Sequence, residues 1–315
     1  MNFIKKIIYR FIKHIEIYGE SNIHFSKGSY LCNNSKYIAT EGKIFLGKNT
    51  RVGSYSELCT SRQHTITLKD YSTLYTNCKL IGDITIERYC LLATNIYMSS
   101  GNHRAFDTPE LLIKKQDSLF FNDPKKSILA DKPIHIHEDV WIGNGVFISP
   151  GITIGRGAIV GSNSVVTKNV TPYSVVVGSP AKEIKKRLNF NPPQNIEASD
   201  IHSLPYFYKG FDHFNLDLKT QKGIKLIDDA EAYLAKNSSI TIEGISELET
   251  ELSVKVGAFK ETRLVKGEFQ LKLNINTDIE SFVIHICIPN KSYETNNIYI
   301  KKITSDESSS SNSHL

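Results

Sequence analysis

Of the ten histidines in the 315-residue sequence, His103 is set apart by its surroundings, S-S-G-N-H-R-A-F-D, where a regular pattern gives way to a long irregular stretch. A neutral imidazole can take the proton of a hydroxyl or amine as that group attacks an electrophile. The ordinary imidazole pKa of about 6.5 leaves much of it neutral near pH 7. Asp107, four residues on, is the carboxylate expected to orient it. His135 and His137 are weaker rivals, because two positions apart on a strand they share one outward face. Trp141, the only tryptophan, precedes an inward Ile142, so strand alternation turns its ring away from the core. An exposed indole there either covers a neighbouring surface or offers an N–H to a developing oxyanion. Asn144 and Ser162 are 18 residues apart, and the basic run K-E-I-K-K-R contains Lys182 and Lys185.

These residues are positioned by residues 136–171. An aliphatic side chain recurs at every sixth position there: Ile136, Ile142, Ile148, Ile154, Val160 and Val166. Three residues after each stand Asp139, Gly145, Gly151, Gly157, Asn163 and Asn169, types that tolerate a left-handed backbone at a sharp corner. Each hexapeptide is therefore a short strand plus a corner, and three of them close one triangular coil of 18 residues. Stacking such coils buries the aliphatic columns and pairs the backbone of each coil with the next, which predicts a hexapeptide β-helix. Residues 18 apart then lie one above the other, so Asn144 and Ser162 share an edge. Tyr75 and Asn77 fall on outward or corner positions of coils below His103.

The length allows two domains. The net charge of +5, spread over scattered lysines, gives slight support to an anionic ligand and hardly any to nucleic acid. Five cysteines, an odd number with no CxxC pair, predict a cytoplasmic protein without disulfides; Cys78 and Cys90 fall on inward small positions of the repeat. No apolar run is long enough to cross a bilayer, and the first residues do not read as a cleavable signal.

Residues 1–20 are expected to form an amphipathic helix with Phe3, Ile7, Phe11 and Ile15 on its apolar face. It would cap the open end of the β-helix, with peripheral contact to an anionic membrane surface as the alternative role. The β-helix is expected over 21–190, with repeats less clean from Leu46 through Val52 and Leu58 and in register from Leu68, a small loop near Gln63 and His64, and a long loop over 103–133. A short basic helix should follow G-S-P-A-K, and 191–219 reads as a linker around N-P-P-Q. Over 220–305, runs such as S-I-T-I-E-G-I and F-Q-L-K-L-N-I-N alternate apolar with polar residues and predict an antiparallel β-sandwich, a candidate carbohydrate-binding module. The Ser-rich residues 306–315 read as a disordered tail.

The motifs W-I-G-N-G-V, V-V-T-K-N-V-T-P-Y and G-S-P-A-K-E-I-K-K-R occur in this order. Through them residues 46–188 resemble the hexapeptide-repeat acyltransferases, most of all the galactoside, maltose and xenobiotic acetyltransferases and the capsular (poly)sialic acid O-acetyltransferases. The resemblance implies a left-handed parallel β-helix, a homotrimer, and acetyl-CoA as co-substrate with no metal. By the same resemblance His103 matches the family's catalytic base and Trp141 its partner at the oxyanion. Asn144 and Ser162 would flank the pantetheine arm, and Thr167 and Lys168 would meet the nucleotide. Lys182 and Lys185 stand where several relatives carry arginine, and an ammonium still binds phosphate. Tyr75 and Asn77 are the candidates on the acceptor side.

The reading is therefore an O-acetyltransferase acting on a sugar hydroxyl of a bacterial surface polysaccharide, capsule or lipopolysaccharide, with sialic acid the favoured sugar. N-acetylation of an amino sugar is its nearest variant. A zinc enzyme like the γ-carbonic anhydrases, using His103, His135 and His137, would leave T-K-N-V and P-A-K unexplained. A non-catalytic carbohydrate-binding protein is the third alternative.

Overall fold

The six-residue period folds into three faces of a parallel β-solenoid. The computed structural model describes residues 14–61, 63–122, 132–216, 218, 222–235, 239–275, 282–289 and 297–306. The first face begins at Glu16–Tyr18, the second at Ile23–Phe25 and the third at Tyr30–Leu31; they contain seven, six and eight strands. Neighbouring strands pair in parallel one coil apart, as in Leu80 with Met98 and Leu92 with Ile142. The expected columns are the core: Leu58, Leu80, Met98, Ile148 and Val166 on the first face are at most 1% exposed. The same holds for Leu46, Leu68, Ile86, Ile136 and Ile154 on the second and Val52, Leu74, Leu92, Ile142 and Val160 on the third. Each such burial is worth about 2 kcal/mol, and the backbone hydrogen bonds between coils leave few buried polar groups to satisfy.

Two corrections concern the start of the solenoid. Residues 1–13 of the expected helix over 1–20 lie outside the described residues, but Glu16–Tyr18 is a strand paired with Lys36–Ala39, and Ile15 is buried. The coils also begin well before Leu46. Phe25, Leu31 and Tyr37 keep the period of six, with Tyr37 fully buried and edge-on to Phe25 at 6.1 Å.

Asp139, Gly145, Gly151, Gly157 and Asn163 do adopt positive φ, between 57° and 76°. Asn169 does not join them; its side chain accepts the Thr153 N–H at 2.9 Å. Tyrosines fill the same corner elsewhere: Tyr55, Tyr71, Tyr89 and Tyr173 have φ between 58° and 62°. A left-handed tyrosine costs roughly 1–2 kcal/mol, and stacking offsets part of that between Tyr71 and Tyr89, whose rings are 5.5 Å apart.

The expected basic helix is a strand. Lys182–Lys186 runs antiparallel to Ser174–Val177 and covers what would otherwise be an open sheet edge. Arg187 then anchors the chain, its Nη1 donating to the Gly157 carbonyl at 2.7 Å.

A second compact unit begins at Phe190. Its strands are Asn195–Glu197, Phe207–Phe211, Ile224–Leu234, Ser239–Val256, Phe259–Asn274, Phe282–Cys287 and Ile298–Asp306. They are antiparallel, as the alternation predicts, and Ile224–Leu234 is one continuous strand among them. The expected antiparallel unit is present, and its strands are joined into one hydrogen-bonded network that returns on itself. The reason is Ser239–Val256, whose first half pairs with Ile298–Asp306 and whose last residues, past an irregularity at Ser246/Thr250, pair with Phe282–Cys287. The span 191–219 is not only linker: Phe207 and Phe211 are fully buried and their strand pairs with Ile224–Leu234. The tail over 306–315 lies, after Asp306, outside the described residues.

Candidate active site

Three groups of side chains stand on different edges of the solenoid. Along the edge between the third and first faces, stacked corners bring Asn77, Asn144 and Ser162 into one ladder. Asn77 Nδ2 donates to Asn95 Oδ1 at 2.8 Å, and Asn95 Nδ2 donates to Asn144 Oδ1 at 3.1 Å. Thr94 Oγ1 also donates to Asn144 Oδ1, and the Asn144 N–H donates to Ser162 Oγ at 3.2 Å. Close packing of this edge needs Gly143, where a Cβ would stand 2.6 Å from the Ser162 nitrogen. Tyr75 lies on the same edge, exposed. Thr94 and Asn95 join the ladder through the 18-residue offset from Asn77 and the loop-lengthened offset to Asn144.

Flanking this edge are two apolar columns: Leu91, Trp141 and Ile159 on the third face, Tyr97, Phe147 and Val165 on the first. Trp141 points outward, 53% exposed, as alternation requires. Tyr97 and Phe147 stack at 5.5 Å with nearly parallel rings.

The adjacent edge, between the first and second faces, carries the long loop. Strand Tyr97–Ser99 ends there, and the coil resumes only at Ile134–Ile136. Thr167 and Lys168 lie further along this edge, exposed, directly after strand Val165–Val166. Among its described residues the loop contains one helix, α1, Ile113–Phe121. His103 is exposed, and its Nδ1 is 2.6 Å from Asp117 Oδ2 on α1. The other carboxylate oxygen, Oδ1, accepts the Arg104 N–H at 2.7 Å. Those two hydrogen bonds, the backbone one foremost, hold the Asp117 carboxyl below the usual range. Asp107 is not the partner of His103. It pairs with Arg104, whose Nε donates to its Oδ2 at 2.8 Å. The Arg104 guanidinium also lies 4.4 Å from the Phe120 ring centre. Buried Gln116 fixes the helix start, accepting the Thr108 N–H at 3.1 Å and donating to the Leu111 carbonyl at 2.9 Å.

Within one chain the structure does not unite His103 with Trp141: the loop leaves at the edge facing away from the third face. Lys182 and Lys185 are exposed on the final antiparallel strand.

His135 and His137 stack at 4.4 Å on the second face. His135 is engaged by buried Glu87 at 3.2 Å, which also pairs with Lys69 at 2.9 Å. Burial alone would raise Glu87; the hydrogen bond from His135 and the Lys69 charge outweigh it and bring its pKa down to about 2. Beside it, buried Glu138 pairs with Arg156 at 3.1 Å, and Arg156 donates to the Tyr173 hydroxyl at 3.1 Å. Among the described residues no three His, Cys, Asp or Glu side chains are grouped to hold a metal ion. Nor is any described helix long and apolar enough to cross a membrane.

Residues 133–168 match the family described as bacterial transferase hexapeptide (six repeats). No curated protein matches the chain in sequence. Among solved structures the chain is similar to a point mutant of AntD, an N-acyltransferase from Bacillus cereus, in complex with dTDP-4-amino-4,6-dideoxyglucose and coenzyme A. The identity is 17% and the TM-score 0.42, over 59% of this chain and 89% of that one. PerB from Caulobacter crescentus, in complex with CoA and GDP-perosamine, is also 17% identical, with a TM-score of 0.37 over 51% of this chain and 59% of PerB. WeeI from Acinetobacter baumannii is 21% identical, with a TM-score of 0.34 over 49% of this chain and 56% of WeeI. In its most regular stretch, then, this solenoid carries the bacterial transferase hexapeptide repeat, over residues 133–168.

Proposed function

We propose that the chain is an acetyl-CoA-dependent acyltransferase, specifically an O-acetyltransferase acting on a sugar hydroxyl of a bacterial surface polysaccharide, with sialic acid the favoured sugar. One observation carries the reading: the longest interruption of a transferase-type hexapeptide coil presents an exposed imidazole held by a carboxylate. In this reading the acceptor oxygen attacks the thioester carbon while its proton passes to His103 Nε2. The oxyanion then collapses, the carbon–sulfur bond breaks, and the departing thiolate takes the proton back from the imidazolium. An indole or backbone N–H of Trp141 would face the oxyanion.

The Asn144–Ser162 edge offers amide and hydroxyl groups at one-coil spacing to a pantetheine arm. Thr167 and Lys168 would meet the nucleotide, and Lys182 and Lys185 the phosphates. Tyr75 and Asn77 are assigned to the acceptor. The separation of His103 from Trp141 supports a homotrimer, in which the loop edge of one copy meets the third face of the next. The exposed apolar columns around Trp141 and Phe147 are the surface such packing would cover. The antiparallel unit would hold a polymeric acceptor; its cleft of about 310 Å³, lined by Glu197, Ser199, Glu243, Lys301 and Lys302, supplies both hydrogen-bond donors and acceptors. A cytoplasmic location goes with the use of acetyl-CoA.

The test is acetyl-CoA consumption over a panel of capsular oligosaccharides, with the product position read by NMR. An ester on a sugar hydroxyl is expected. An amide would move the assignment to an amino sugar, and failure to bind CoA would overturn it.

A further inference from the structure

We propose that Asp117, delivered by α1, is the positioning residue of His103: it fixes the imidazole as the Nδ1–H tautomer and leaves the Nε2 lone pair free to take the acceptor proton. The inference rests on the general-base reading above and deepens it.

A carboxylate held below its usual range is ionised and only accepts hydrogen bonds. The ring nitrogen 2.6 Å from Asp117 Oδ2 must therefore carry the hydrogen. That leaves Nε2 as the basic nitrogen, on a side chain that is 82% exposed while Asp117 is 19% exposed. Both oxygens of Asp117 are committed, one to the ring and one to the Arg104 N–H at 2.7 Å. Ring and backbone at residues 103–104 are thus tied to one group. An amide cannot replace it, having one acceptor oxygen where two donors converge. If its NH₂ faced the ring, Nδ1 would become the acceptor and the proton would move to Nε2, removing the base.

The helix exists to bring this residue back. Asp117 is fourteen positions from His103 and reaches it because Gln116 secures the start of α1 and Arg104 lies on Phe120 near its end. Asp107, nearer in sequence, binds only the Arg104 side chain and fixes nothing on the ring.

The experiment compares the full-length wild type with Asp117→Asn, Asp107→Asn and His103→Ala. Long-range ¹H–¹⁵N spectra of histidine-labelled protein at about pH 8 report the tautomer, with His103→Ala identifying the resonance. Acetyl transfer from acetyl-CoA to oligosialic acid reports kcat and KM. Wild type and Asp107→Asn are expected to show Nδ1–H. Asp117→Asn should lose that signature and about 100-fold in kcat, with the KM for acetyl-CoA within about threefold and the thermal midpoint unchanged. An Nε2–H tautomer in the wild type overturns the inference, whatever the acceptor proves to be. So does an Asp117→Asn protein with wild-type tautomer and kcat. If His103→Ala is inactive while Asp117→Asn is normal, only the role of Asp117 falls; if His103→Ala is fully active, the general-base reading falls with it.

Discussion

The coils and the loop that interrupts them are held together in different ways. In a coil every inward side chain is clamped by the coils above and below: Ile142 pairs with Leu92 on one side and Val160 on the other and is fully buried. In the loop, Phe106 is 90% exposed and order depends on a few side-chain hydrogen bonds, those of Asp117 and Gln116 above all. The coil fixes directions along its edges to the spacing of a sheet. The loop supplies a group that a regular coil has no place for, an imidazole with one free nitrogen. Stability is concentrated in the first region, and the proposed chemistry crosses into the second.

The sharpest way to break that division is by truncation. Ile142→Ala should cost roughly 2–5 kcal/mol, read from denaturant midpoints, whereas Phe106→Ala should stay within about 0.5 kcal/mol. Comparable losses from both would mean that the loop is part of the core.

Next in size is the acid dependence of the ionic network between the second and third faces. Glu87 has its pKa lowered in the fold, so its contribution is fully present above the ordinary carboxylate range and disappears as pH falls through about 2. Wild-type stability should therefore decline from about pH 4.5 to 2 by an amount on the order of 3 kcal/mol. Glu87→Gln should lose that much at neutral pH and decline less steeply than wild type across the window, as measured by thermal melts against pH.

A smaller effect is expected at a corner. Gly157 has φ of +66°, and a Cβ there would stand 2.4 Å from the Tyr173 ring. Gly157→Ala should cost about 1–3 kcal/mol and disturb the Tyr173–Arg156 hydrogen bond. The smallest change concerns ligand binding alone. Lys182→Ala with Lys185→Ala should weaken CoA about tenfold, more at low salt than at high, and leave the melting midpoint unmoved.

The coil was legible in the sequence because one inward position in every six is apolar along each face and each corner favours residues that tolerate positive φ. It was less legible where another residue type met the same demand. Tyr37 and Phe25 carry the period in the early coils, and tyrosines occupy positive-φ corners that elsewhere hold glycine, asparagine or aspartate. The basic strand Lys182–Lys186 has no pattern of its own; it follows from the need to cover Ser174–Val177. At the candidate site the position of His103 could be read from where the repeat stops. Its carboxylate partner could not, because a helix within an aperiodic loop reverses the chain and brings residue 117 nearer than residue 107.

The most direct test of the account is His103→Ala, measured for acetyl transfer and, by calorimetry, for CoA affinity on the same sample. Transfer reduced by about 10²–10⁴-fold with CoA affinity nearly unchanged is the predicted result. Transfer at the wild-type rate would contradict it.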